Sequence, residues 1–196
     1  MPRRPTRTVP TLILHGINGS PEGHWQRWLA GELTAQGREV RFPEFPNPDE
    51  PVFDEWHPAL VSALSDLPAD GFDVVAHSLA AVLWLHHAVA SPGTPRPARV
   101  ALVAPPTSDQ LEPLAPTFVP IPLKIDAVRR AADGTVLVGG SDDPYCTGGI
   151  ARAYGAPLKM AATVIEGGGH INLESGHGPW PAVLDWCGRD NLAFIA

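Results

Sequence analysis

Three separated stretches of the chain carry the residue types that nucleophilic acyl chemistry requires: Ser78, then Asp142 or Asp143, then His170. A serine hydroxyl is a poor nucleophile at neutral pH. It needs an imidazole within hydrogen-bond reach as base, and a carboxylate that fixes the imidazole's tautomer and stabilises its cation. Ser78 lies in Ala76-His77-Ser78-Leu79-Ala80, where the hydrophobic pattern changes period. Residues 72–76 are apolar and rich in β-branched types, which suits a strand buried on both faces. From Leu79 onward, Val82, Leu83 and His86 follow at helix spacing, and Pro92-Gly93 is the expected stop. A serine at such a sharp junction holds its hydroxyl at the carboxyl edge of a sheet, beside the free amides of the next helix. Glycine is usual two residues before and after such a serine. Ala76 and Ala80 each add a methyl there, so the turn is expected to be crowded but feasible. Alone, the pentapeptide reads equally well as an ordinary buried strand-helix junction.

The other two positions are read from their loops. His170 follows Gly167, Gly168 and Gly169 directly after an apolar run, so its backbone is free to bend back toward the serine; His177, in a Gly-His-Gly turn, is the fallback base. His77 points away from the serine by strand alternation and reads as packing. Asp143, just before Pro144, is favoured as the acid over Asp142, which would cap the turn or orient its neighbour. The same Gly-Ser-Asp-Asp-Pro run is good turn chemistry without any site. An oxyanion hole needs two amides, and Leu79 with Ile17, from the turn after the first strand, are the expected donors. His15, Asn18, Tyr145 and Asn172 are candidate substrate contacts. Trp56, Phe118 and Tyr145 suggest an apolar wall, although core packing accounts for them equally well.

These positions require an alternating scaffold. Strands are expected at residues 9–14, 39–42, 72–76, 99–103, 135–138 and 160–165, helices at 24–36, 53–67, 79–91, 150–154 and 179–187, and a short helix or turn at 124–132. Trp25, Trp28, Leu29 and Leu33 form one stripe of the first helix, and Trp56, Leu60 and Leu64 one face of the second. Residues 43–51 and 104–122 are proline-dense loops, the second placed to form a lid or substrate wall. The pattern predicts one α/β domain over residues 1–196, with an approximately six-stranded parallel sheet, helices on both faces and right-handed crossovers.

Composition removes several function classes. A formal charge of −7 and a pI near 5.5 argue against nucleic acid and anionic membranes as standing partners. Arg3, Arg4 and Arg7 give residues 1–8 the character of a disordered tail, and the apolar stretch that follows is too short for a membrane span. Cys146 and Cys187 lack CxxC spacing, which points to a cytoplasmic protein with two free thiols. Eight histidines occur without HExxH, and His86 and His87 diverge by about 100° on a helix, so no metal or other cofactor is expected.

Taken together, His15-Gly16, His24-Trp25 with Trp28, Pro46-Asn47-Pro48, Ala76-His77-Ser78, Ser141-Asp142-Asp143-Pro144-Tyr145 and Gly169-His170-Ile171-Asn172 with Ser175-Gly176 and Trp180-Pro181 carry a resemblance. The chain resembles the RBBP9/YdeN family of small serine hydrolases over nearly its whole length. That resemblance implies a compact α/β-hydrolase fold lacking the first two strands of larger members, with Ser78, Asp143 and His170 as catalytic triad. Ala80 departs from the family's glycine. The expected activity is hydrolysis of a small-molecule acyl substrate: a carboxylic ester, a thioester or an amide. The alternative reading is a protein-binding module on a hydrolase scaffold with weak or no turnover; no protein partner is indicated by the residues.

Overall fold

The computed structural model describes residues 8–90 and 95–194. The tail expected at residues 1–8 and the Pro92-Gly93 stop therefore lie outside the described residues, Thr8 excepted. Six strands, β1 (Thr11–Leu14), β2 (Val40–Arg41), β3 (Asp73–His77), β4 (Arg99–Val103), β5 (Gly134–Gly140) and β6 (Ala162–Ile165), form one parallel sheet in the order β2-β1-β3-β4-β5-β6. β2 is a two-residue edge strand, while β1, β3, β4 and the last four residues of β5 are short, buried and largely apolar runs. That composition suits strands covered on both faces.

Alternation along the strands divides the core in two. Leu12, Leu14, Val74, Ala76, Val100 and Leu102 face α2 (Phe53–Ser65), α3 (Leu79–Ala90) and α5 (Ile125–Ala131). Ile13, Val75, Ala101, Val103 and Val138 face α1 (Trp25–Ala35) and α7 (Pro181–Gly188). α3 is buried on nearly every side, from Leu79 to Ala88, as a helix in the middle of such a layer must be. No helix among the described residues is long and apolar enough to cross a membrane.

Three local features differ from the expected pattern. The long loop at residues 104–122 carries a helical turn, α4 (Ser108–Leu111), and a 3-10 turn (Pro116–Phe118), so it is a structured strap. The expected helix at 150–154 is a π turn (Ala151–Gly155) running into α6 (Ala156–Leu158). On α1 the buried residues are Trp25, Gln26, Leu29 and Leu33, with Trp28 only partly covered. Gln26 is buried because its amide donates to Leu14 O (2.8 Å) and accepts from Ser20 Oγ (2.6 Å), which staples the turn after β1 to the helix.

β1 continues to β2 on one side, while the chain returns to place β3 on the other. The turns leaving β1 and β3 therefore diverge and open a crevice at the carboxyl edge between them.

Candidate active site

β3 hydrogen bonding runs one residue past the strand, with Ser78 N–H donating to Val103 O at 2.8 Å. The backbone then reverses, with Ser78 at φ 55° and its carbonyl accepting from Ala81 N–H at 3.0 Å to begin α3. A left-handed non-glycine residue is uncommon, and here it turns the hydroxyl out of the sheet plane. The expected crowding at Ala76 and Ala80 is accommodated, both methyls being fully buried in the α2/α3 core. The tight approach comes from the other side: a Cβ on Gly16 would lie 2.7 Å from Ser78 Cβ. The residue that must lack a side chain at this junction belongs to the turn after β1.

β5 and β6 deliver the other two groups. His170 Nε2 lies 2.9 Å from Ser78 Oγ, and both carboxylate oxygens of Asp143 lie 3.0 Å from His170 Nδ1. Asp143 can only accept, so the proton between them belongs to Nδ1, and Nε2 is left as acceptor for the serine O–H. The Asp143 side chain is 2% exposed, and it also accepts from Tyr145 N–H at 2.9 Å. Asp142 points elsewhere: its Oδ1 accepts from Gly169 N–H at 2.7 Å and holds the histidine loop. Gly169 has φ 51°, and a Cβ there would meet Ser175 Oγ at 2.6 Å, which explains a glycine immediately before the imidazole.

Leu79 is the first residue of α3, so its N–H has no intrahelical acceptor. Among the described residues neither that amide nor Ile17 N–H has a hydrogen-bond partner, whereas Asn18 N–H is taken by Pro48 O and Gly19 N–H by Gly16 O. A cavity of about 370 Å³ opens over Ser78 and His170, bordered by Ile17, Asn18, Tyr145 and Asn172. The ring of Tyr145 meets that of His170 edge-on at 4.6 Å. Such a constellation can move a proton from hydroxyl to imidazole and present an alkoxide to a bound carbonyl. No group of three metal-ligating side chains occurs among the described residues. Cys146, close to Asp143, has its thiol pushed up to about 12 by burial and then by the carboxylates of Asp143 and Asp109, so it stays protonated.

Residues 11–188 match the model of the family described as serine hydrolase. The chain belongs to the serine hydrolase family. This serine hydrolase is similar to YdeN of Bacillus subtilis (strain 168), at 33% identity over 72 residues; the aligned segment spans only 37% of either chain. The crystal structure of the B. subtilis ydeN gene product superposes with a TM-score of 0.78 at 22% identity, covering 91% of this chain and 96% of that one. A thioesterase domain from the curacin biosynthetic pathway shares the fold at a TM-score of 0.64 and 15% identity, over 92% and 90% of the two chains. The solved structures that it resembles are α/β-hydrolases, and its own six-stranded parallel sheet with helices on both faces is of that class.

Several residues of this serine hydrolase lie elsewhere than sequence reasoning puts them. His15, expected as a substrate contact, is fully buried behind the cavity, where Nε2 accepts from Phe45 N–H at 3.0 Å and Nδ1 faces Gly16 O at 2.8 Å. Burial is the chief cause of its lowered pKa, and it serves the turn as a neutral ring. Trp56 and Phe118 are fully buried core residues, so of the expected apolar wall Tyr145 alone borders the cavity. Pro106, Leu111 and Leu114 from the strap supply the rest. His177, the fallback base, sits against Trp180 with Nδ1 buried, and the imidazole at Ser78 Oγ is that of His170.

His77 and His24 are the residues that sequence reasoning missed. His77 Nε2 lies 3.0 Å from His170 O, and its ring lies 5.2 Å from that of His170 and edge-on to Trp25 at 5.5 Å. Its pKa is held well down by burial, so it is a neutral donor to that carbonyl. Trp25 Nε1–H donates to the next carbonyl, Ile171 O, at 2.7 Å. Consecutive carbonyls beside the imidazole are thus gripped by two rings. His24 caps α1 through Nδ1 (3.2 Å from Gln26 N), borders the cavity, and has its pKa lowered to about 4 by burial and then by Arg27.

Proposed function

We propose that this serine hydrolase cleaves a small carboxylic ester, thioester or amide through an acyl-Ser78 intermediate. The observation that carries the reading is the unbroken line Asp143–His170–Ser78, with spacings of 3.0 and 2.9 Å, ending at the wall of a cavity. His170 Nε2 takes the serine proton as Oγ attacks the acyl carbon. Charge then builds on the former carbonyl oxygen, and the amides of Leu79 and Ile17 are its donors. Collapse expels the leaving group with the proton from His170. In the second half His170 draws a proton from water, which attacks the acyl-serine and releases the carboxylate and Ser78. Asp143 remains ionised throughout and stabilises the transient imidazolium. A cytosolic setting suits two unpaired thiols.

The test is covalent labelling combined with turnover. A fluorophosphonate probe is expected to add to Ser78 in the folded protein, and Ser78→Ala is expected to reduce esterase kcat by on the order of 10⁴-fold or more. Failure of the probe to label, or retained turnover in the variant, would refute the mechanism.

A further inference from the structure

The cavity over Ser78 is at the small end of ligand sites, which run from about 300 to 1,000 Å³, and its wall is chemically lopsided. Pro106, Leu111 and Leu114 line it from the strap, and Ile17 and Leu173 from the opposite loops. Two of these are large apolar side chains left in contact with water, Leu114 at 50% exposure and Leu173 at 39%. Among the described residues the wall contains no lysine or arginine, and its one formal charge is the exposed carboxylate of Glu174, with no ion-pair partner. The histidines beside it do not make up the deficit, because burial keeps His24 and His77 neutral at pH 7. The surrounding field has the same sign, the chain carrying a formal charge of −7.

Given the acyl-serine reading above, on which this step rests, we infer that the site selects small substrates whose acyl group is apolar and uncharged, and rejects acyl groups that bear a carboxylate. A second carboxylate in this cavity would lose hydration against leucine and proline, and would find the neutral side chains of Asn18 and Asn172 but no lysine or arginine in return. It would also face Glu174 across a space too small to separate the charges by a screening length. The same asymmetry bears on release. Hydrolysis of a neutral ester creates a carboxylate product, and among the described residues this wall offers that product amide donors but no lysine or arginine.

The experiment compares two p-nitrophenyl esters of nearly equal size, the heptanoate and the monoester of adipic acid, which differ in whether the acyl chain ends in ethyl or carboxylate. The leaving group is shared, so the ratio of kcat/KM reports the acyl site alone. The neutral ester is expected to win by at least about tenfold. Glu174→Lys is expected to narrow that ratio severalfold by placing a cation on the rim. Equal kcat/KM for the two esters, or preference for the adipate, would overturn the inference, and an unchanged ratio in Glu174→Lys would overturn the part given to Glu174. Failure of the underlying reading looks different: neither ester is turned over above the rate of Ser78→Ala, which removes reading and inference together.

Discussion

Each edge of the sheet buries a carboxylate against a nitrogen base, and the two pairs are built to opposite ends. At the amino edge Asp73 and Arg99 face each other across β3 and β4, with side chains 0% and 4% exposed. Arg99 Nε donates to Asp73 Oδ1 at 3.1 Å, while Nη1 donates to Trp186 O at 3.0 Å, Arg189 O at 2.6 Å and Asn191 O at 3.2 Å. Its guanidinium also lies 4.3 Å over the Trp186 ring. This pair is closed on all sides by acceptors, and a guanidinium does not give up its proton. At the carboxyl edge Asp143 is nearly as buried, but its partner is an imidazole whose second nitrogen opens through Ser78 to a cavity. A buried carboxylate held by N–H donors is common to both. A transferable proton and a path to solvent space distinguish the edge to which we assign the chemistry.

The sharpest way to break this comparison is to disable one pair and watch the other. Asp143→Asn should reduce kcat by about 10⁴-fold, through loss of the correct imidazole tautomer, and leave the unfolding midpoint nearly unmoved. Asp142→Asn should cost turnover far less, since its oxygen holds only the Gly169 amide. Conversely, Arg99→Met should cost about 3–5 kcal/mol in urea unfolding by stranding Asp73 in the core, with kcat per folded molecule unaltered. If the two variants exchanged phenotypes, the division of labour would be wrong.

A smaller effect tests the clamp on His170. Losing the donor in His77→Phe frees the His170 carbonyl, and a misplacement of about 1 Å is expected to reduce kcat by roughly 10- to 100-fold with little change in KM. His77→Gln retains a donor and should recover part of that loss. Equal damage in both variants would point to packing alone.

The smallest effect is on acid stability, and it too separates the edges. His24 falls from 6.5 to about 4 on folding, and His15 and His77 are lowered as well, all with burial as the leading cause. Between pH 6.5 and 4 the unfolded chain therefore holds protons that the folded chain does not, so stability rises with pH across that window and falls on acidification. The urea midpoint should decline from pH 6.5 downward. Hydrogen exchange should show amides of residues 15–25 losing protection before those at the start of β3 and β4. A flat midpoint to pH 4.5 would contradict this.

Much of the scaffold is legible in the residue pattern because each core strand is a short apolar run and each helix keeps one stripe. β4 and the face Trp56-Leu60-Leu64 are placed to the residue. The misses have identifiable causes. Period-2 reasoning puts His77 on the face of Val75, and there its ring lies against Trp25; what no local pattern reveals is that the histidine loop folds over it from a sequence distance of 93 residues. His15 looks like a ligand contact because it flanks a glycine turn; nothing local reveals that residues 42, 45 and 56 will close over it with aromatic rings. Residues 104–122 look irregular for their prolines, yet Thr107 precedes one helical turn, its N–H donated to Tyr145 O, and Pro116 begins another, where a missing N–H does no harm.

Arg99 also ties together parts of the chain that lie far apart in sequence. Its carbonyl acceptors Trp186 O, Arg189 O and Asn191 O lie 87, 90 and 92 residues further along, and the His170 imidazole lies 92 residues beyond Ser78. One stretch, residues 170–191, therefore closes both edges of the sheet. Undocking it would at once strip Arg99 of these acceptors and leave the Ser78 hydroxyl without the ring beside it.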